Sequence, residues 1–142
     1  MKVKDVPQDH GTIEDHGREI CYATDENGEY ALTHSIGWDV KNVANDQAWE
    51  IIFNEIRNIH KKIVAGKSSP LAYHMTKNQM TPGLLGKYVS ISRWRVKRHL
   101  KPKIFNKLSD SILSKYAKIL EITIEELKSV PKEIDIQSIK YR

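Results

Sequence analysis

Thr81-Pro82-Gly83-Leu84-Leu85-Gly86-Lys87-Tyr88-Val89-Ser90-Ile91-Ser92-Arg93-Trp94-Arg95-Val96-Lys97-Arg98-His99-Leu100 contains two short helical patterns that meet at a tight turn. Thr81 offers a side-chain oxygen to the free amides of the first helix, and Pro82 takes the first helical position, where no donor is needed. Leu85, Val89, Ile91 and Val96 supply a small shared core. Gly86 removes the side chain where the helices cross closely, Ser90 occupies the turn, and Ser92 caps the second helix. The spacing is that of a helix-turn-helix.

Around this stretch, helix-start signals recur at Ser69-Pro70, Ser109-Asp110 and Thr123-Ile124-Glu125-Glu126, the last with capping-box spacing. With Thr81 and Ser92 they predict five short helices. Upstream, the segment from Asn45 to Ala65 has a helical period, with Trp49, Ile52, Phe53, Ile56, Ile59 or His60, and Ile63 forming an apolar stripe. Asn45 is the expected cap, and Gly66 follows a last turn containing Lys61 and Lys62. That stripe is the natural partner for the hairpin or for a second copy of the same helix in a dimer, and Trp49, Phe53, Ile56 and Ile63 are the surface expected to be shared between the N-terminal region and its partner.

Earlier still, two β-prone runs, 19–24 and 29–35, flank Asp25-Glu26-Asn27-Gly28. Asn-Gly is the preferred centre of a two-residue type I′ hairpin. In that register Glu26 pairs with Glu29, Cys21 with His34 and Ala23 with Leu32, so that Cys21, Ala23, Tyr30, Leu32 and His34 share a face. Residues 1–18 read as an extended arm without periodicity, and the alternation from Ile134 to Ile139 suggests an added strand or a crossing to another subunit. The expected fold is mainly α: an N-terminal β-hairpin and long helix followed by a five-helix helix-turn-helix domain. Its expected parts are an acidic region at 1–66 for dimerisation or partner binding, the helical domain at 67–130, and a tail at 131–142.

At 142 residues the chain fits one domain, or a helical module with an accessory element. Hydrophobic residues at 39% and charged residues at 29% place it among folded proteins rather than disordered ones. The N-terminus lacks the apolar stretch of a signal peptide and no run reaches bilayer length, so the expectation is a cytoplasmic protein with no membrane partner. Cys21, the single cysteine, excludes intramolecular disulfides and a cysteine-rich zinc site. His10, His16, Cys21 and His34 follow no metal-ligand spacing beyond the cross-strand pair proposed for Cys21 and His34, and no metal or other cofactor is expected. No hydrolase or transferase signature is present, which argues against an enzyme.

Charge separates the two ends of the chain. Residues 1–50 hold four Lys/Arg against eleven Asp/Glu, a net of −7, whereas residues 51–142 hold 19 against seven, a net of +12. The bases cluster on the second helix of the motif and just beyond it: Arg93, Arg95, Lys97, Arg98, Lys101 and Lys103, with no acid between Ser92 and Lys103. A merely solvated face would intersperse signs, so the run favours a phosphate partner, and double-stranded DNA above all. Ser92 starts the helix; Arg93, Trp94 and Lys97 lie near its N-terminus, where base edges are read. Arg98, Lys101 and Lys103 are placed to grip phosphates. Trp94 has a competing role in packing against Tyr73, Tyr88 or the long helix, and Arg95, nearer Val96, a competing role in an internal ion pair.

Residues from about Ala72 to Val130 resemble the helix-turn-helix domain of Xre/Cro-like bacterial and phage repressors, and the stretch from Leu108 to Leu127 looks like that family's closing pair of helices. Pro82 stands where the family often has a polar residue, Ser90 replaces its turn glycine, and the connection from Leu100 to Leu108 is longer. The resemblance implies a transcriptional regulator that binds two half-sites as a homodimer. A second reading is antitoxin-like: the acidic region binds a protein partner while the basic domain autoregulates on DNA. An RNA-binding module is the third, for which an aromatic stacking platform is lacking.

Overall fold

The computed structural model describes residues 1–11, 17–134 and 139. It forms two compact units, Met1–Ile51 and Ile52–Arg142, and is mainly α with an N-terminal hairpin and a long helix.

In the first unit, β1 (Glu19–Thr24) and β2 (Tyr30–Ser35) form an antiparallel ribbon. Their register differs by one residue from the sequence expectation: Cys21 opposes Thr33, Ala23 opposes Ala31 and Thr24 opposes Tyr30. The cause lies in the loop. The Asp25 carboxylate accepts hydrogen bonds from the Asn27 and Glu29 amides, at 2.8 and 2.9 Å. Gly28 has φ +86°, while Asn27 is not among the residues with positive φ. A type I′ turn needs positive φ at both central residues, so the chain instead closes a three-residue loop with glycine in the left-handed position. A one-residue slip turns every side chain over. Ala23 and Ser35 therefore face inward, while Tyr22, Tyr30, Leu32 and His34 face out. Cys21 and His34 fall on opposite faces, which removes the pair once considered as a metal site.

Residues 1–11 of the arm are more structured than their sequence suggests, while 12–16 lie outside the described residues. A 3-10 turn at Val3–Asp5 is followed by a buried Val6. Lys2 bridges Thr24, and Gln8 bridges Gly37. Gln8 donates from Nε2 to the His34 carbonyl at 2.7 Å and accepts from the Ile36 amide at 3.1 Å. Asp9 completes the arrangement by accepting from the Asp39 amide at 2.9 Å. That carboxylate meets the positive end of α1 (Asp39–Val64), which accordingly begins well before Asn45. Asn45 is interior and caps nothing.

The second unit contains the C-terminal part of α1, then α2 (Pro70–Lys77), α3 (Pro82–Val89), α4 (Arg93–His99), α5 (Pro102–Phe105), α6 (Asp110–Leu120) and α7 (Ile124–Leu127). Leu71 through Met75 are buried at five consecutive positions, so α2 is covered all round and runs through the core. Leu71, Leu85, Val96, Phe105, Leu113, Tyr116, Leu120 and Leu127 form that core. Ile56 of α1 is fully buried and is therefore not available to a partner.

The predicted starts of α3, α4 and α7 are made as read. Thr81 Oγ1 accepts from the Leu84 amide at 3.2 Å, and Thr123 and Glu126 form a reciprocal capping box. Ser69 is different: its hydroxyl is buried and donates to the His99 carbonyl at 3.0 Å instead of capping α2. The connection from Leu100 to Leu108, where no helix start was expected, holds the one-turn α5, started by Pro102. The tail expectation lies outside the described residues apart from Ile134 and Ile139, the latter buried. Among the described residues, no helix is long and apolar enough to cross a membrane.

Candidate nucleic-acid interface

The turn between α3 and α4 is built from the side chains that the sequence singles out. Ser90 sits in the left-handed region at φ 57° and ψ 41°, a position that costs serine more than glycine. The Ile91 amide closes the turn on the Gly86 carbonyl at 2.9 Å. A Cβ at Gly86 would stand 2.5 Å from the Ile91 carbonyl oxygen and 3.4 Å from Val96 Cγ2. The absent side chain thus sets how closely α3 and α4 approach.

Ser92 Oγ accepts from the Arg95 amide at 3.4 Å and starts α4. On the inner side Val96 is fully buried and His99 nearly so. The far end of α4 is held by two neighbours. The Ser69 amide donates to the Leu100 carbonyl at 2.9 Å, beside the hydroxyl bond to His99, and His99 Nδ1 lies 2.9 Å from the Tyr116 hydroxyl of α6. The two rings meet edge to face at 5.9 Å and 89°. The helix is therefore fixed in rotation and along its axis before any ligand arrives.

That anchoring points Arg93, Trp94, Lys97, Arg98 and Lys101 to solvent. Trp94 is 64% exposed, which overturns its packing against Tyr73, Tyr88 or the long helix. It lies two residues, about 200° of helical rotation, from the buried Val96. Its partner is Arg98, whose guanidinium stands 4.9 Å from the indole centroid, a cation–π contact at one-turn spacing. Arg95 is exposed and makes no ion pair with a described acidic group, so the internal pair expected for it is absent there. Arg93, Lys97, Arg98, Lys101 and Lys103 are likewise without ion pairs among the described residues. Lys101 stands at the N-cap position of α5 without capping it through its side chain, and Lys103 lies within that helix, so a second helix start carries these two bases.

Sequence reasoning does not single out Lys87 on α3 as part of this surface. A shallow groove of about 470 Å³ between α3 and the start of α4 is lined by Gly83, Lys87, Ser90, Ser92 and Arg93, which brings Lys87 beside the first bases of α4. Its signal was available. Lys87 and Tyr88 fall on the exposed side of a helix whose Leu85 and Val89 are buried.

Electrostatics follow from the same packing. Burial, and then the charges of Arg95 and Arg98, hold the His99 imidazole below its ordinary value of 6.5. Burial also lowers His74, whose Nε2 lies 2.9 Å from the Ser129 carbonyl. Burial pushes the Tyr116 hydroxyl up to about 12. A histidine lowered in the folded chain leaves the unfolded chain holding more protons just below 6.5. Stability is then full above about pH 6.5 and falls as pH drops from there toward the lowered folded values. The urea midpoint is expected to decline steadily as pH falls from about 6.5 to about 5.5, before carboxylates titrate. A flat midpoint over that window would show that neither imidazole is held neutral.

Chemically, the surface offers cations without ion pairs among the described residues, an indole with a cationic neighbour and a helix start capped by a serine hydroxyl. Among the described residues, no group of three or more His, Cys, Asp or Glu side chains is arranged to hold a metal ion. No protein-family model, curated protein or solved structure matches the chain.

Proposed function

We propose that the chain is a sequence-specific double-stranded DNA-binding protein and a transcriptional regulator, with α3 and α4 as its helix-turn-helix. The Xre/Cro-like resemblance belongs to this proposal, as do a homodimeric working form and a cytoplasmic location. One observation carries the reading: Arg93, Lys97 and Arg98, on a helix locked from behind by His99, Tyr116 and Ser69, and Lys101 just beyond it, are exposed and have no ion pair among the described residues. Pre-positioned cations without carboxylate partners among the described residues suit a phosphate backbone, and arginine near a helix N-terminus suits the two acceptors of guanine. Arg93, Trp94 and Lys97 read bases, with Ser92 setting the helix start. Arg98, Lys101 and Lys103 hold phosphates, joined by Lys87.

The test is selection of bound duplexes from a random library at near-physiological salt, for the natural sequence and for Arg93→Ala with Lys97→Ala. The natural protein is expected to enrich one sequence that the double variant fails to recover. Enrichment of nothing, or of the same site by both, would sink the assignment of α4 as reader.

A further inference from the structure

The corrected hairpin register leaves an unusual surface on the first unit. Small side chains are turned inward: Ala23 is 2% exposed and Ser35 4%, with Ala31 and Thr33 partly covered. Large apolar ones are turned outward: Ile20 is 66% exposed, Tyr22 76%, Tyr30 83% and Leu32 65%. Tyr22 stands directly opposite Leu32, and Tyr30 opposes Thr24, so the four form one contiguous face with Thr24 and His34 at its corners. An antiparallel ribbon with one face in water normally points its polar residues there. Here the pattern is reversed.

We infer that this outward face is where a second copy of the chain docks, ribbon on ribbon. Three observations select that occupant. The first is area. Two tyrosines and two branched aliphatics at these exposures present on the order of 600 Å², at the upper end of what a monomer leaves uncovered and most of the roughly 800 Å² that one side of a stable interface supplies.

The second is charge. None of the six face residues is an acid, lysine or arginine, although the first fifty residues of the chain carry a net −7. A charged partner would have its ions stripped of water against Ile20 and Leu32, whereas the face laid on its own copy has no such conflict. The third is sheet geometry. A two-stranded ribbon is marginal alone, and two such faces stacked about 10 Å apart make a two-layer sheet with a shared apolar interior. Tyrosine suits this place, since each ring can bury while its hydroxyl reaches the wet rim.

The inference rests on the homodimeric form in the proposed function and places its contact, but it does not depend on DNA binding, because no residue of α4 takes part. Sedimentation equilibrium of the full chain over a micromolar to hundred-micromolar range tests it. The natural sequence is expected to sediment as a dimer, at twice 16.4 kDa, and Tyr22→Lys with Leu32→Lys as a monomer. Tyr22→Thr with Leu32→Thr keeps strand-forming residues and is expected to weaken the dimer by about a hundredfold or more. Far-ultraviolet circular dichroism and the thermal midpoint show that each variant is folded. If the lysine pair does not fold, the threonine pair decides.

A monomeric natural protein across the range overturns the inference. A dimer that survives both pairs of substitutions overturns it too, by placing the contact elsewhere. Arg93→Ala with Lys97→Ala is expected to leave the dimer intact, so a failure of DNA binding and a failure of this interface register in different measurements.

Discussion

Gly86→Ala is expected to destabilise the second unit by about 2 kcal/mol, opposite in sign to the roughly 1 kcal/mol that the same exchange contributes in an open helix. The added Cβ would meet the Ile91 carbonyl oxygen at 2.5 Å. That oxygen belongs to the backbone of the turn and cannot rotate away. The Ile91 amide is meanwhile tied to the Gly86 carbonyl at 2.9 Å, so relieving the clash stretches the bond that closes the turn. Gly83 is the internal control. It lies in the same helix, and a Cβ there has no neighbour nearer than 3.8 Å. Gly83→Ala is expected to be neutral or slightly stabilising. Urea midpoints for both variants decide the matter, and a Gly86 variant as stable as the Gly83 one would refute the close crossing of α3 and α4.

Replacing Arg93, Lys97, Arg98 and Lys101 together by alanine is expected to lower DNA affinity by about a thousandfold near physiological salt. Arg98 and Lys101 hold phosphates, and each phosphate neutralised releases about 0.9 of a counterion, so the two lost phosphate contacts reduce the slope of log K against log salt by about 2. At roughly 0.15 M salt that slope corresponds to about one and a half decades of affinity, and the lost base contacts of Arg93 and Lys97, at roughly 1–3 kcal/mol each, supply the remainder. The four side chains are exposed and have no ion-pair partner among the described residues, so folding stability is expected to change by no more than about 0.5 kcal/mol per site. The affinity loss is thereby separable from unfolding. Trp94→Ala supplies the contrast: it is expected to weaken binding with little change in slope, because an indole releases no counterion. Fluorescence anisotropy titrations at several salt concentrations read both quantities. An unchanged slope in the fourfold variant would mean that α4 does not face phosphate.

The proposed interface is legible in the chain to different depths. The exposed bases of α4 could be named from sequence because Val96 and His99 define the inner side and the rest follows from helical period. The same logic should have placed Trp94 outside. Its size suggested a core, while its angle from Val96 required solvent. His99 and Tyr116, which hold the helix, were not foreseeable as a pair because they lie 17 residues apart on different helices. Ser69 shows the same limit. Its Ser-Pro context reads as a cap, yet its hydroxyl is taken by a carbonyl 30 residues away.

What the sequence by itself determined is what depends on neighbours within a turn or two: the mainly helical class, the hairpin's existence, the caps at Thr81, Ser92 and Thr123, and the crossing at Gly86. These features rest on short-range hydrogen bonds and on helical or strand period, both of which are written locally. Only the tertiary structure decided the hairpin register, the start of α1, the anchoring of α4 and the face that the ribbon turns to water. In the hairpin, Asn27-Gly28 was compatible with two loops, and the Asp25 carboxylate tipped the choice by satisfying two amides. At α1, the deciding oxygen belongs to Asp9, 30 residues upstream of the amide it accepts. A local pattern cannot announce a partner that arrives only when the chain has folded.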